Sequence, residues 1–333
     1  MAVDTRSGIS RRQFVQQTGL AAGGLLLGSQ AVEAAAADSP KQELPRRVLG
    51  KTGATITTLT LGTACCGSCK DVTVKQIAEL VNVAIDMGVN SIDTARLYGK
   101  AEEGVGQGLG RRRKEVFLAT KLFCDTAEQA EKSLAESFRL LKTDYVDLLY
   151  LQNLGARKVE ETRKPDGAFT WLLKQKQAGK TRFVGVSAHS TPDRCLPFFE
   201  TGQVDVFLAA VNFVDRHTYN FEERVLPEAR KRNLGIVAMK VFGGLGAGFK
   251  GYGGAAGPAL VPHEYLELAV RYALHMPGVA SVNIGPHTPQ QLLQNAAWVA
   301  NGQPLSEKEQ AMLARVGRDL APKWGEHFGP VKA

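Results

Sequence analysis

The sequence predicts a single α/β domain, folded as a closed (β/α)8 TIM barrel, on three observations. From about residue 54, short runs rich in β-branched residues alternate with longer amphipathic segments. Eight such strand-and-helix units fit within the chain, which is the number that closes a barrel of parallel strands. Continuous apolar strands between amphipathic helices indicate a parallel sheet that helices cover. An open doubly wound sheet is the alternative, and we would expect a glycine fingerprint in its first strand-to-helix turn.

Before the first unit, the N-terminal residues have the order of an export signal. A basic segment with Arg11 and Arg12 precedes the short apolar stretch Gly19–Leu27, and a small-residue zone follows. The apolar stretch is well short of the ~20 residues that span a bilayer, so we expect no permanent membrane anchor. The paired arginines resemble the twin-arginine signal, which implies export of the folded protein to the periplasm by the twin-arginine translocation machinery. We therefore expect residues 1–37 to be a cleaved signal peptide and residues 38–333 to form the barrel; a disordered basic tail is the alternative.

Eight runs are predicted as strands because they are short, apolar and rich in β-branched residues. They are Thr58–Gly62, Asn90–Ala95, Val116–Lys121, Tyr145–Gln152, Arg182–Ser187, Asp205–Asn212, Gly235–Lys240 and Ser281–Gly285.

The segments between these runs have apolar residues at helical spacing. In the first, Val74 and Ile77 begin an apolar face and Gly88 ends the helix. Ala127–Leu141 and His263–Met276 have the same pattern. The glycine-rich stretch from Gly104 to Gly110 follows no strand, so it predicts close helix packing rather than a nucleotide-binding turn.

Composition fits this globular domain, with 22% charged and 44% hydrophobic residues. The net charge of +8 is compatible with a nucleic-acid partner. However, the basic residues are scattered, and their one cluster, Arg111–Lys114, is short enough to be a solvated surface. We therefore expect no nucleic-acid partner.

Polar side chains stand where the second to fourth predicted strands end, which is where barrels of this type place catalytic groups. Asp93 and Tyr98 follow the second strand. Lys121 ends the third strand and Gln152 ends the fourth. An ammonium lowers the pKa of a nearby phenol, and a carboxylate keeps the ammonium charged. The three groups would thus form a proton donor for a carbonyl oxygen, as hydride transfer from a nicotinamide requires.

The chain resembles the aldo-keto reductase family from Arg46 to Asn295. The motifs that carry the resemblance occur in the family's order and spacing. The whole set is specific to the family, although any single motif would not be. They are "GVNSIDTARLYG", "VFLATK", "DYVDLLYLQN", "RFVGVSAHS" and "GIVAMKVFGG". The resemblance implies one barrel with an N-terminal β-hairpin and a C-terminal helical segment.

The resemblance also implies roles in reduction of a small aldehyde or ketone. Tyr98 would be the general acid, Lys121 the group that lowers its pKa, and Asp93 the support for Lys121. Gln152 departs from the family, which usually has histidine there, and an amide can donate a hydrogen bond but cannot ionise. Either Gln152 positions the carbonyl, or the reaction differs, as in reduction of a conjugated double bond. A cofactor-binding regulatory barrel with low turnover and a Schiff-base aldolase using Lys121 or Lys240 are further alternatives.

The cofactor that the resemblance implies is NADPH, with NADH as the alternative, extended across the barrel mouth. The residues implied for it are Gly62, Thr63, Ser187, Lys240, Phe242, Gly244, Gly285, His287, Gln291 and Asn295. Eight glycines between Gly243 and Gly257 would permit close backbone approach to a pyrophosphate. Family members often hold the 2′-phosphate with a basic residue, where this chain offers His287 and Gln291.

Two other residue types allow simpler interpretations. Cys66 and Cys69 form a C-x-x-C that is either a disulfide or part of a small-residue loop. No second Cys or His pair stands at a matching distance in the sequence, so we expect no metal site. His189 falls near the expected barrel mouth and is interpreted as a loop histidine.

Overall fold

Eight parallel strands close into a barrel, as predicted, in a computed structural model that describes residues 44–244 and 253–332. Each strand contains part of one predicted run. They are β3 (Leu59–Gly62), β4 (Ser91–Asp93), β5 (Phe117–Leu122), β6 (Val146–Leu151), β7 (Thr181–Ala188), β8 (Val206–Ala210), β9 (Gly235–Met239) and β10 (Val279–Ile284). Neighbours follow chain order, and β10 pairs with β3 to close the ring.

The predicted hairpin precedes the barrel. Its strands β1 (Arg46–Val48) and β2 (Thr55–Thr57) pair antiparallel. Leu49 and Ile56 are buried and pack in one cluster with side chains inside the barrel such as Phe117. The hairpin therefore covers the end of the barrel at which the parallel strands begin.

Helices cover the outside of the barrel, and the last one forms the predicted C-terminal helical segment. They are α1 (Ala64–Ser68), α2 (Val74–Asp86), α3 (Ala101–Leu109), α4 (Ala127–Leu141), α5 (Val159–Arg163), α6 (Ala168–Gln177), α7 (Leu196–Glu200), α8 (Phe221–Arg224), α9 (Leu226–Lys231), α10 (Leu266–Leu274), α11 (Pro289–Ala300) and α12 (Glu307–Trp324). The Thr73 side chain accepts the Gln76 backbone N–H at the start of α2, and Ser306 accepts that of Glu309 at the start of α12. These caps give hydrogen-bond partners to N–H groups that the helices themselves leave unpaired.

The glycine-rich stretch lies in α3 and packs helices together, as the sequence indicated. A Cβ on Gly104 would stand 2.5 Å from the Ile77 Cβ of α2. One on Gly106 would stand 2.2 Å from the Leu140 carbonyl oxygen of α4. Only glycine permits these helix backbones to approach so closely.

The predicted signal peptide, residues 1–37, lies outside the described residues and stays a prediction. The same holds for residues 245–252 of the glycine-rich segment after β9. Within the described ranges, no helix has the length and apolar character needed to cross a membrane.

Candidate active site

The barrel rim brings Asp93 and Lys121 together, because they stand near the carboxyl ends of neighbouring parallel strands. Asp93 ends β4, and Lys121 is the penultimate residue of β5. Asp93 is 4% exposed and Lys121 1%, so the pair is removed from water.

Lys121 is held by two acceptors. Its Nζ donates to Asp93 Oδ1 and, at 2.9 Å, to the Thr94 carbonyl oxygen. Burial lowers the pKa of Lys121, and the carboxylates of Asp93 and Glu102 oppose that decrease. A buried ammonium persists when a carboxylate pairs with it and its hydrogen bonds are satisfied.

Tyr98 follows β4 and is partly buried above this pair. The Lys121 Nζ lies 5.0 Å from the centre of the Tyr98 ring. The pKa of Tyr98 is raised well above its ordinary value, first by burial and then by the charges of Asp93 and Cys65. Burial is the largest of these causes, so Tyr98 is protonated at neutral pH, and the influence of the Lys121 ammonium on its pKa stays a prediction.

A cavity of about 490 Å³ opens beside these residues, and Asp93 and Tyr98 form part of its wall. Eight of the ten residues implied for the dinucleotide line the same cavity. They are Gly62, Lys240, Phe242, Gly244, Gly285, His287, Gln291 and Asn295. The structure therefore brings the predicted catalytic phenol and most of the predicted cofactor residues to one space.

The remaining predicted site residues are buried and do not line this cavity. Thr63 donates its hydroxyl to the Asp93 carbonyl oxygen at 3.0 Å. The Ser187 hydroxyl accepts the Asn153 N–H at 2.9 Å. Gln152 is 6% exposed, and its Oε1 has no hydrogen-bond partner within the described part of the chain.

Two glycines of the cavity wall pack tightly against neighbouring protein atoms. A Cβ on Gly62 would lie 2.2 Å from Asn283 Oδ1, and one on Gly285 would lie 3.2 Å from the Cys65 sulfur.

Lys240 has a left-handed backbone with φ of 58°, and burial lowers its pKa to about 8. At neutral pH this ammonium is charged, so it can bind the diphosphate of a dinucleotide.

The part of the wall that α11 contributes carries neutral groups. The His287 N–H donates to Gln291 Oε1 at 2.7 Å, and Thr288 caps the helix. Burial lowers the pKa of His287, so its imidazole is neutral at pH 7. The His287 Nε2 is buried and, among the described residues, has no hydrogen-bond partner. These groups can pair with the hydroxyls and ring nitrogens of an adenosine, and the residues present therefore fit a dinucleotide.

The wall also contains His189 and Cys65, which were not predicted as site residues. His189 is 5% exposed and lines the cavity with Tyr98. It stands directly after β7, so the strand-end rule that selected Asp93 also applies to it. Cys65 also lines the cavity, whereas Cys66 and Cys69 are buried thiols that form no disulfide with each other.

Comparisons with known proteins relate this chain to aldo/keto reductases in both sequence and fold. The sequence model of the aldo/keto reductase family matches residues 58–258. L-galactose dehydrogenase of Arabidopsis thaliana is 27% identical over 83% of this chain and 94% of its own length. The uncharacterized oxidoreductase YqkF of Bacillus subtilis is also 27% identical, over 83% of this chain and 97% of its own. The solved aldo-keto reductase AKR11C1 of Bacillus halodurans has a TM-score of 0.65 at 20% identity, covering 82% of this chain and 96% of its own.

Proposed function

The chain belongs to the aldo/keto reductase family, and from this premise we propose that it reduces the carbonyl group of an aldehyde or ketone with a nicotinamide dinucleotide. One observation carries the proposal: Tyr98 borders the cavity that the dinucleotide residues line, above the buried Asp93–Lys121 pair. A reduced nicotinamide, when bound, supplies the hydride.

The chain's own residues handle the proton. Tyr98 keeps its proton over a wide pH range because burial raises its pKa, so it can donate to a carbonyl oxygen. Lys121 lies under the Tyr98 ring, and its charge stabilises the negative charge that develops when the proton leaves. Asp93 fixes the Lys121 ammonium in this position.

The test is consumption of NADPH or NADH by the purified protein with a panel of saturated aldehydes and conjugated enals. We expect an alcohol as the product from both substrate classes. Dinucleotide binding without turnover of any aldehyde would favour the regulatory barrel instead. A saturated aldehyde as the product from an enal would show reduction of the conjugated double bond.

Cofactor affinity should depend on the protonation of Lys240. Its charged form attracts the diphosphate, and its pKa is lowered to about 8, so affinity should decrease as the pH rises through that value. We expect Kd for NADPH or NADH to increase about tenfold between about pH 7 and 9.5, because the loss of one charged hydrogen bond weakens binding by about this factor. Quenching of tryptophan fluorescence measures Kd, because Trp298 lines the cavity. The Lys240→Arg variant keeps its charge, so a matching pH dependence in that variant would contradict the assignment.

The choice between NADPH and NADH should respond to one position on α11. Replacing Gln291 with arginine places a cation on the neutral part of the wall, and we expect NADPH affinity to increase about tenfold relative to NADH. Gln290→Arg is the matched control, since Gln290 is exposed on the same helix and does not line the cavity. Titration with 2′,5′-ADP and 5′-ADP measures the effect without turnover. An equal gain in both variants would show that general charge, not position, is responsible.

A further inference from the structure

In the proposed reaction, a second hydrogen-bond donor besides Tyr98 would hold the substrate oxygen in place. The Gln152 side chain lies outside the cavity where that oxygen would bind. Gln152 is buried and does not contribute to the cavity wall. Its backbone N–H is bonded to the Leu122 carbonyl oxygen at 2.8 Å, which fixes it to the neighbouring strand. In this arrangement the Gln152 side chain does not share the cavity with a ligand that contacts Tyr98.

His189 is the imidazole that the cavity wall does contain. It follows β7 directly and lines the cavity together with Asp93, Tyr98 and Lys240. Its ring packs against Phe328, with 5.6 Å between the ring centres.

The C-terminal segment keeps Phe328 in place, and with it the His189 ring. Tyr219 Oη accepts the Phe328 N–H at 2.8 Å and donates to the Gly329 carbonyl oxygen at 3.1 Å. The N–H and hydroxyl of Thr191 donate to the Pro330 carbonyl oxygen at 3.1 and 2.8 Å. Because Thr191 is two residues from His189, its bonds to Pro330 tie the segment to the histidine loop, while Tyr219 holds the segment at Phe328 and Gly329. Such fixed side chains are what an orienting group requires.

The surroundings also set the charge of His189. Burial lowers its pKa well below the ordinary value, and Lys240, Lys121 and His327 add to the decrease. A neutral imidazole has one N–H donor and one acceptor nitrogen. It can therefore donate a hydrogen bond without exchanging a proton at working pH.

We propose that His189, and not Gln152, donates the hydrogen bond that orients the substrate oxygen toward Tyr98. The inference rests on the proposed function, since it assigns a residue within the same carbonyl reduction. It places the imidazole directly after β7, whereas the family resemblance implies a histidine at the end of β6.

The experiment compares His189→Phe, His189→Gln and Gln152→Leu with the wild type, using 4-nitrobenzaldehyde as the probe. We expect His189→Phe to lower kcat/KM about 100-fold, since removing one oxygen-stabilising donor has an effect of this size. His189→Gln restores a donor and should recover about tenfold of that loss. Gln152→Leu should remain within about threefold of the wild type, since its side chain does not reach the cavity.

Two further readouts separate orientation from structural damage. Kd of NADPH or NADH should stay within about twofold of the wild type in every variant, because the dinucleotide residues are untouched. The pH profile of kcat/KM should keep its shape between about pH 6 and 9, because His189 does not titrate there.

A larger loss in Gln152→Leu than in His189→Phe would overturn the inference while leaving the proposed function intact. So would wild-type kcat/KM in His189→Phe. Absence of aldehyde turnover in the wild type would refute the proposed function, and the inference with it.

Discussion

The Tyr98→Phe variant is expected to reduce aldehydes at least ~10³-fold more slowly than the wild type. The change removes the one hydroxyl that we assign as proton donor and keeps the ring that lies over Lys121. Dinucleotide affinity should be unchanged, so the loss falls on kcat and not on cofactor Kd. Rapid mixing of the dinucleotide-loaded protein with 4-nitrobenzaldehyde measures the single-turnover rate directly.

Tyr150→Phe is the matched control for this variant. Tyr150 also faces Lys121, with 5.7 Å between the ammonium and the ring centre. It is 2% exposed and does not line the cavity. Its hydroxyl has no role in the proposed reaction, so the rate should stay within about threefold of the wild type. Equal losses in the two variants would show that Tyr98 acts through packing and that another group donates the proton.

Lys121→Met is expected to lower the free energy of unfolding by about 3–5 kcal/mol, the usual result of breaking a buried ion pair. The variant leaves the Asp93 carboxylate 4% exposed and without its ammonium. The double variant Asp93→Asn/Lys121→Met removes that unpaired charge, so it should recover a large part of the loss. Urea unfolding curves of the wild type, the single variant and the double variant measure both quantities.

The control for this series is Lys132→Met. Lys132 pairs with Glu128 on the surface of α4, where both side chains are about three-quarters exposed. Exposed pairs of this kind contribute little to stability, so no measurable change is expected. If Lys121→Met were as well tolerated as Lys132→Met, the buried pair would not have the supporting role that the mechanism gives it.

The barrel could be predicted from sequence because its signals are local. Each strand is a short apolar run, and each long helix repeats its apolar residues over at least two turns. Short helices such as α1 and α7 give no such signal, because five residues are too few for a period of 3.6 to show. The pairing of Asp93 with Lys121 was also predictable, because neighbouring parallel strands end at one rim.

The parts of the site that could not be predicted depend on three-dimensional burial. The raised pKa of Tyr98 follows first from burial and then from the nearby charges of Asp93 and Cys65. The strand-end rule selects Gln152 and His189 equally, and the cavity wall distinguishes them only once the chain is folded. The contact that fixes His189 comes from Phe328, which is 139 positions away in the chain and follows no strand-end pattern.

The raised pKa of Tyr98 should make the two directions of the proposed reaction respond oppositely to pH. Oxidation of an alcohol would require this hydroxyl to begin as its anion, and at neutral pH that anion is rare because of the raised pKa. Carbonyl reduction starts from the protonated phenol and alcohol oxidation from its anion, so raising the pH should favour oxidation relative to reduction at this site.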